Sequence, residues 1–159
     1  MENLIIRRAT INDLKTVQNL NQQLFNYEME KGLDDYISNW AVGDFGAEYF
    51  TNLIENEFCA IAEVDKTPIG YLSGSIYRDN SLSYYRGLTC ELNDMFVKSE
   101  FRKFGIGSKL IENFVNWCKE NNGKRIFVTA TVGNDNAIEF YKKQEFKELN
   151  IILKKELSF

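Results

Sequence analysis

The stretch from Val97 to Ser108 (Val-Lys-Ser-Glu-Phe-Arg-Lys-Phe-Gly-Ile-Gly-Ser) holds the residue types that an anion site needs. A strand pattern ends at Val97, a basic turn follows, and Gly105 and Gly107 open a long helix with apolar periodicity. First-turn N–H groups of a helix have no intrahelical partner and carry the positive end of its dipole. Glycines there let a phosphate approach the backbone closely, and Lys98, Arg102, Lys103 and Lys109 add positive charge. The spacing fits neither common nucleotide loop: Leu110 stands where G-x-G-x-x-G requires a third glycine, and G-x-x-x-x-G-K-[ST] is unmet. Histidine is absent from the chain. That excludes Ser-His-Asp and Cys-His pairs, an H-E-x-x-H zinc site and an imidazole base, and no metal is expected. Acid–base work falls to Asp, Glu, Tyr, Lys, Cys, the backbone or water.

Arg102-x-x-Gly105-x-Gly107 after a strand resembles the acyl-CoA pyrophosphate loop of the GNAT family of N-acetyltransferases. Downstream, the run from Asn134 through Ala137, Phe140 and Tyr141 to Phe146 resembles that family's later motif, N-x-x-A-x-x-F/Y-Y followed by Gly-Phe. Arg7, Ala9, Asp13 and Leu14 resemble its R-x-A-x-x-x-D-L start, so the likeness runs nearly end to end. Two positions depart from the pattern. Glu145 replaces the usual glycine before Phe146. The strand Cys90 to Val97 resembles the polyamine version of the family, except that Asn93 takes the first of two acidic positions and leaves Asp94 alone.

The resemblance implies an acetyl-CoA-dependent transferase in which an amine attacks the thioester directly. Backbone groups of Met95, Phe96 and Val97 would hold the pantetheine arm as an added strand. The backbone of Lys103, Phe104, Gly105, Ile106, Gly107 and Ser108, with Arg102, would hold the pyrophosphate, and Asn134 would contact the pantetheine. Tyr141 would protonate the leaving thiolate, and Glu91 or Asp94 would take a proton from the amine. Strict alternation puts Glu91 and Asn93 on one face and Asp94 on the other, unless the bulge common in this family re-aims them. The acceptor wall of the family falls on residues 26–48, where Glu28, Glu30, Asp34, Asp35, Asp44 and Glu48 face a single cation, Lys31. A small cationic amine is therefore the expected acceptor. The alternatives are a protein or peptide amine, a silent CoA-binding sensor, and an interaction protein that does not bind CoA. Acetyl-CoA binding separates the last from the others, and turnover with an amine panel separates the enzyme from the sensor.

The elements that must position these residues read in the order β-α-α-β-β-β-α-β-α-β. Strands are expected at residues 4–8, 58–64, 69–77, 89–97, 125–131 and 146–154, and helices at about 14–32, 49–57, 105–121 and 135–144. Residues 65–68 join a hairpin, and 78–87 form a polar loop. The expected fold is α/β (α+β): a mixed, mostly antiparallel central sheet flanked by helices.

The chain has 159 residues, which suits one domain over 1–159 with a sizeable core. Its formal net charge of −4 argues against general nucleic-acid binding. Cys59, Cys90 and Cys118 are far apart and flanked by apolar residues, which reads as buried thiols in a reducing compartment. No apolar leader core and no run near roughly 18 apolar residues is present. A cytoplasmic protein, with no membrane partner and a possible homodimer, is the expectation.

Overall fold

Runs of β-branched and apolar residues form the strands β1 (Leu4–Arg8), β2 (Phe58–Val64), β3 (Thr67–Tyr77), β4 (Leu88–Val97) and β5 (Gly123–Val128). They come from a computed structural model that describes residues 3–33, 36–77, 87–155 and 157. The strands lie side by side in chain order; β1 to β4 are antiparallel, and β5 runs parallel to β4. A parallel neighbour needs a crossover, supplied here by α3 (Ile106–Glu120). The other helices are α1 (Leu14–Glu30), α2 (Asp44–Asn56) and α4 (Asp135–Lys143). This is the expected mixed, mostly antiparallel sheet with flanking helices.

Each sheet face has its own core. On one, Ile106, Leu110, Phe114 and Cys118 of α3 pack on Phe58, Ala60, Leu72, Cys90 and Leu92, with Phe140 and Tyr141 of α4 at the margin. On the other, Val17 and Leu20 of α1 and Phe50, Leu53 and Ile54 of α2 cover Cys59, Ile61, Tyr71 and Phe96. Arg7 ties the entry to this frame. Its guanidinium donates to both oxygens of Asp13 at 2.8 Å and to Glu63 at 2.6 Å, joining β1, the turn before α1 and β2. The R-x-A-x-x-x-D-L start is thus a structural clamp, and Arg7 holds the Asp13 carboxyl well below the usual carboxylate range.

The structure moves several expected boundaries. α2 begins at Asp44 rather than 49, because Gly43 caps it and Gly46 sits where a Cβ would meet the Ala41 carbonyl at 2.2 Å. The hairpin loop shrinks to Asp65 and Lys66, both at positive φ (49° and 64°), the conformation a two-residue turn requires. β5 ends at Val128, not 131. Residues 146–154, expected as a final strand, form no strand: Ile151, Ile152 and Leu153 are 84%, 83% and 90% exposed. Alternating apolar residues supply a strand's side chains but not its partner. The expected loop at 78–87 lies outside the described residues apart from Gly87. All three cysteines are buried and free, and burial pushes the Cys59 thiol up to about 12. Among the described residues, no helix is long and apolar enough to cross a membrane.

Candidate active site

β4 and β5 pair only from Leu88↔Gly123 to Leu92↔Val128. Beyond that point β4 continues to Val97 against β3 alone, while the chain after Val128 leaves the sheet. The backbone of β4 from Asn93 to Val97 is therefore an edge facing a wedge. Met95 and Val97 turn their side chains to the α3 core and Phe96 to the α1/α2 core, which anchors this edge from both faces.

A bulge sets which acid faces where. β3 pairs Gly74 with Leu92 and Ser73 with Asp94, so Asn93 is the extra residue. That insertion turns Asp94 onto the α1/α2 face, the same face as Glu91, and strict alternation does not survive. Asn93 itself accepts a hydrogen bond from Ser75 Oγ at 2.9 Å. The Asp94 carboxylate accepts from Ser73 Oγ at 3.0 Å, Asn21 Nδ2 at 3.2 Å and Tyr49 OH at 3.4 Å. Burial outweighs these three donors and pushes its pKa up to about 6, with the Glu28 charge adding to the rise. Burial also raises Glu91. Asn21 is fully buried, and its second Nδ2 contact is the Tyr71 hydroxyl at 2.7 Å; its Oδ1 has no donor among the described residues.

Sequence reasoning missed Asn21, Ser73 and Tyr49 as site residues. One signal was present: Asn21 interrupts the apolar stripe of Val17, Leu20 and Leu24 on α1, and a polar residue on a core-facing stripe needs a partner. Glu28, in the expected acidic wall, accepts from Tyr36 OH at 2.6 Å. Asp34 and Asp35 of that wall lie outside the described residues.

Tyr141 of α4 packs on the α3 side of the sheet, against Phe140 and Phe146 with ring centroids 5.6 Å away in both cases. Burial first, then the negative charges of Asp94 and Glu28, push its phenol well above 10. It stays protonated at neutral pH. Asn134, the N-cap of α4, uses its Oδ1 to accept from the Ala137 N–H at 3.3 Å.

The glycine loop lies at the wedge's mouth. Lys103 (φ 67°) and Gly105 (φ 78°) both adopt left-handed backbone, curling the chain into the start of α3. The first bond into α3 runs from Lys109 N–H to the Gly105 carbonyl at 3.1 Å, so the N–H groups ahead of it have no intrahelical acceptor. Phe104 is exposed, Ile106 is buried in the α3 core, and Ser108 Oγ accepts from Gln144 Nε2 at 3.0 Å, linking α3 to the end of α4. Two residues of the loop also make contacts within the fold. A Cβ on Gly107 would meet Phe140 Cζ at 2.9 Å, so this glycine lets α3 and α4 approach each other. Arg102 folds inward: its Nε donates to the Val97 carbonyl at 2.8 Å and its guanidinium lies 4.5 Å from the Tyr27 ring centroid. It braces the end of β4 against α1.

Three comparisons bear on this geometry. Residues 17–146 match the model of the acetyltransferase (GNAT) family. An uncharacterized N-acetyltransferase of Methanocaldococcus jannaschii is 26% identical over 150 residues, covering 92% of this chain. The chain spans 62% of that relative's length. Among solved structures, a mutant of the BH1408 protein of Bacillus halodurans superposes with a TM-score of 0.83 at 20% identity, over 97% of this chain and 99% of its own. An aminoglycoside N-acetyltransferase in complex with CoA does so with a TM-score of 0.77 at 18% identity, over 97% and 94%.

Proposed function

The chain belongs to the acetyltransferase (GNAT) family, and from that premise we propose that it transfers the acetyl group of acetyl-CoA to a small cationic primary amine in a ternary complex. One observation carries the reading: β4 and β5 part beyond Leu92↔Val128, and the raised carboxylate of Asp94, on β4 just past that point, lies within electrostatic reach of the protonated phenol of Tyr141. The unpaired N–H groups at the start of α3 suit a pyrophosphate, and the free β4 edge at residues 93–97 suits an amide-bearing arm added as a strand. Lys98, Lys103 and Lys109 reinforce the first of these. Arg102 contributes by fixing the β4 end. Asn134 caps α4, which carries Tyr141.

An alkylammonium has a pKa near 10.4 and must lose a proton before it attacks. Asp94, ionised above about pH 6, is the acceptor for that proton, with Glu91 beside it on the same face. The amine nitrogen then bonds to the thioester carbon, and a β4 N–H near Met95 steadies the oxyanion. The C–S bond breaks, the sulfur takes the Tyr141 proton, and the amide nitrogen sheds its second proton, which replaces the one Tyr141 gave. The balance is one amide, one CoA thiol and one proton released. The acceptor class rests on charge, since Asp94 and Glu91 offer acceptor oxygens to an ammonium and the negative charge of Glu28 reaches Asp94 and Tyr141. The aminoglycoside enzyme with a similar fold also acts on an amine-bearing small molecule. A cytoplasmic setting fits the three reduced thiols.

The test is release of free CoA from acetyl-CoA across a panel of polyamine, aminoglycoside, amino-acid and peptide acceptors. Turnover is expected with cationic small amines. Tyr141→Phe is expected to cut kcat by about 10²–10⁴-fold with acetyl-CoA affinity nearly unchanged. Binding without turnover on the whole panel would leave a silent CoA sensor.

A further inference from the structure

The Asp94 carboxylate rests against a buried amide whose two ends are unequally used. Asn21 of α1 and Tyr71 and Ser73 of β3 are all fully buried. Asn21 uses both Nδ2 protons, one on the Tyr71 hydroxyl at 2.7 Å and one on Asp94 Oδ1 at 3.2 Å. Its own Oδ1 has no donor among the described residues, and the one hydrogen bond of the Tyr71 hydroxyl there is the bond it accepts. An N–H donor usually stands about 2.9–3.0 Å from its acceptor, an O–H donor about 2.7–2.8 Å, and a bond to a charged oxygen is the shorter kind. Here the contact with the neutral hydroxyl is the short one and the contact with the carboxylate the long one. A half-rotation of the amide about its Cβ–Cγ bond exchanges nitrogen and oxygen in place. Asn21 Oδ1 then accepts the Tyr71 proton, at the length usual for such a bond, and faces Asp94 Oδ1 oxygen to oxygen. Two oxygens meet there only across a proton, and Asp94 must hold it.

Both orientations give the amide two bonds to these neighbours, so the Asp94 proton selects between them. We propose that Asn21 is a positioning residue whose carboxamide turns with the charge of Asp94, nitrogen toward the ionised carboxylate and oxygen toward the protonated acid. The Tyr71 hydroxyl reverses from acceptor to donor in the same movement. Asp94 Oδ2 goes on accepting from Ser73 Oγ and Tyr49 OH in either form, so the carboxyl group keeps its orientation while its proton comes and goes. Against a fixed N–H donor, a proton on Oδ1 would have no acceptor. The catalytic use of this turn rests on Asp94 being the base proposed above: the proton leaves the ammonium nitrogen, ends on Asp94 Oδ1, and is released as the amide turns back. The titratable groups around Asp94 are Glu28 of α1, Tyr49 of α2, Cys59 of β2, Tyr71 of β3, Glu91 of β4 and Tyr141 of α4. Burial keeps the thiol and the three phenols protonated at neutral pH, which leaves Glu28 and Glu91 as the other groups of this set able to carry charge.

Nuclear magnetic resonance on the free full chain reads the turn without any turnover. The Asp94 carboxyl carbon, assigned by its loss in Asp94→Asn, should titrate at about pH 6. Overhauser contacts from the Asn21 Nδ2 protons to the Tyr71 ring should be strong above that midpoint and fade below it, and should do the same in Glu91→Gln. Asn21→Leu, with its melting temperature as the check on folding, takes a partner from both forms of the acid. The Asp94 midpoint should therefore move by less than about half a pH unit, whereas loss of a fixed donor, which serves the ionised form alone, would raise it by about one unit or more. With the carboxyl no longer held in place, kcat should fall by on the order of 10-fold at every pH. Overhauser contacts that persist unchanged through the Asp94 titration would overturn the proposal, and so would a full-unit rise of the midpoint in Asn21→Leu. A pH–rate profile that ignores the Asp94 midpoint while the amide still turns would strike the base assignment and leave the turn standing.

Discussion

A carboxylate beside three donors would ordinarily be an easy ion, so the raised pKa of Asp94 shows that burial dominates its surroundings. Two consequences follow from the same number. In the rate, protonation of the base below about pH 6 should cut kcat/KM, giving an acidic limb that Asp94→Asn abolishes along with about 10²–10⁴-fold of activity. In stability, the folded pKa lies above the unfolded value, so protonation favours the fold. The stabilisation is complete below about pH 3.9 and is lost as pH rises through about 6. Asp94→Asn, neutral throughout, should therefore gain on the parent by on the order of 2 kcal/mol between pH 4 and 7. Thermal melts of both proteins across that range read it directly, and parallel curves would mean that Asp94 titrates near its ordinary value. Sequence alone singled out Glu91, Asp94 and Tyr141 but left the first two unranked. Their ranking depends on a one-residue bulge at Asn93 and on donors from three other elements, Asn21, Tyr49 and Ser73. None of the three donors is adjacent to Asp94 in the chain.

At the scale of elements, motif and mechanism come apart at the glycine loop. The sequence pattern announces a strand, a basic turn and a helix opened by two glycines, and all three are present. The reason for each glycine is not readable from the pattern. Gly105 needs its left-handed backbone and has open space around its missing side chain, whereas Gly107 is pinned by Phe140 across the α3–α4 contact. Gly107→Ala and Gly105→Ala should each cost about 1–2 kcal/mol, the first through overpacking and the second through strained φ. Phe140→Leu relieves only the first. It should restore much of the stability and acetyl-CoA affinity of Gly107→Ala and nothing to Gly105→Ala, as measured by melting temperature and titration calorimetry. No rescue would return Gly107 to the phosphate-approach role. The end of β5 and the 146–154 segment were misread for a related reason. A strand exists by pairing, and side-chain alternation carries no record of where a neighbour diverges or whether one is present in the same chain.

Across the whole molecule the charges are sorted by site. The acidic residues near the wedge sit on α1 and β4, and the lysines of the glycine loop sit at its mouth, in a chain whose net charge is only −4. On the proposed reading, an anionic co-substrate and a cationic acceptor would be drawn to opposite ends of one cleft, which would discourage either from occupying the other's place. Glu28 is the most informative residue for this arrangement. It lies on α1, far in sequence from Asp94 and Tyr141, yet its charge raises both, and the Tyr36 hydroxyl fixes its carboxylate at 2.6 Å. Glu28→Gln keeps the shape and removes the charge. For a cationic acceptor KM should rise by on the order of 10-fold, the equivalent of about 1.4 kcal/mol, with the difference shrinking as salt is added. Acetyl-CoA affinity should not change, because the proposed phosphate site lies at the other end of the wedge. The same substitution should also lower the pKa of Asp94 and move the acidic limb of kcat/KM toward lower pH, since one neighbouring negative charge is gone. A neutral amine serves as the control: its KM should be indifferent to Glu28→Gln while its acidic limb still moves. A KM rise as large for the neutral amine as for the cationic one would show that Glu28 shapes the cleft rather than selecting by charge.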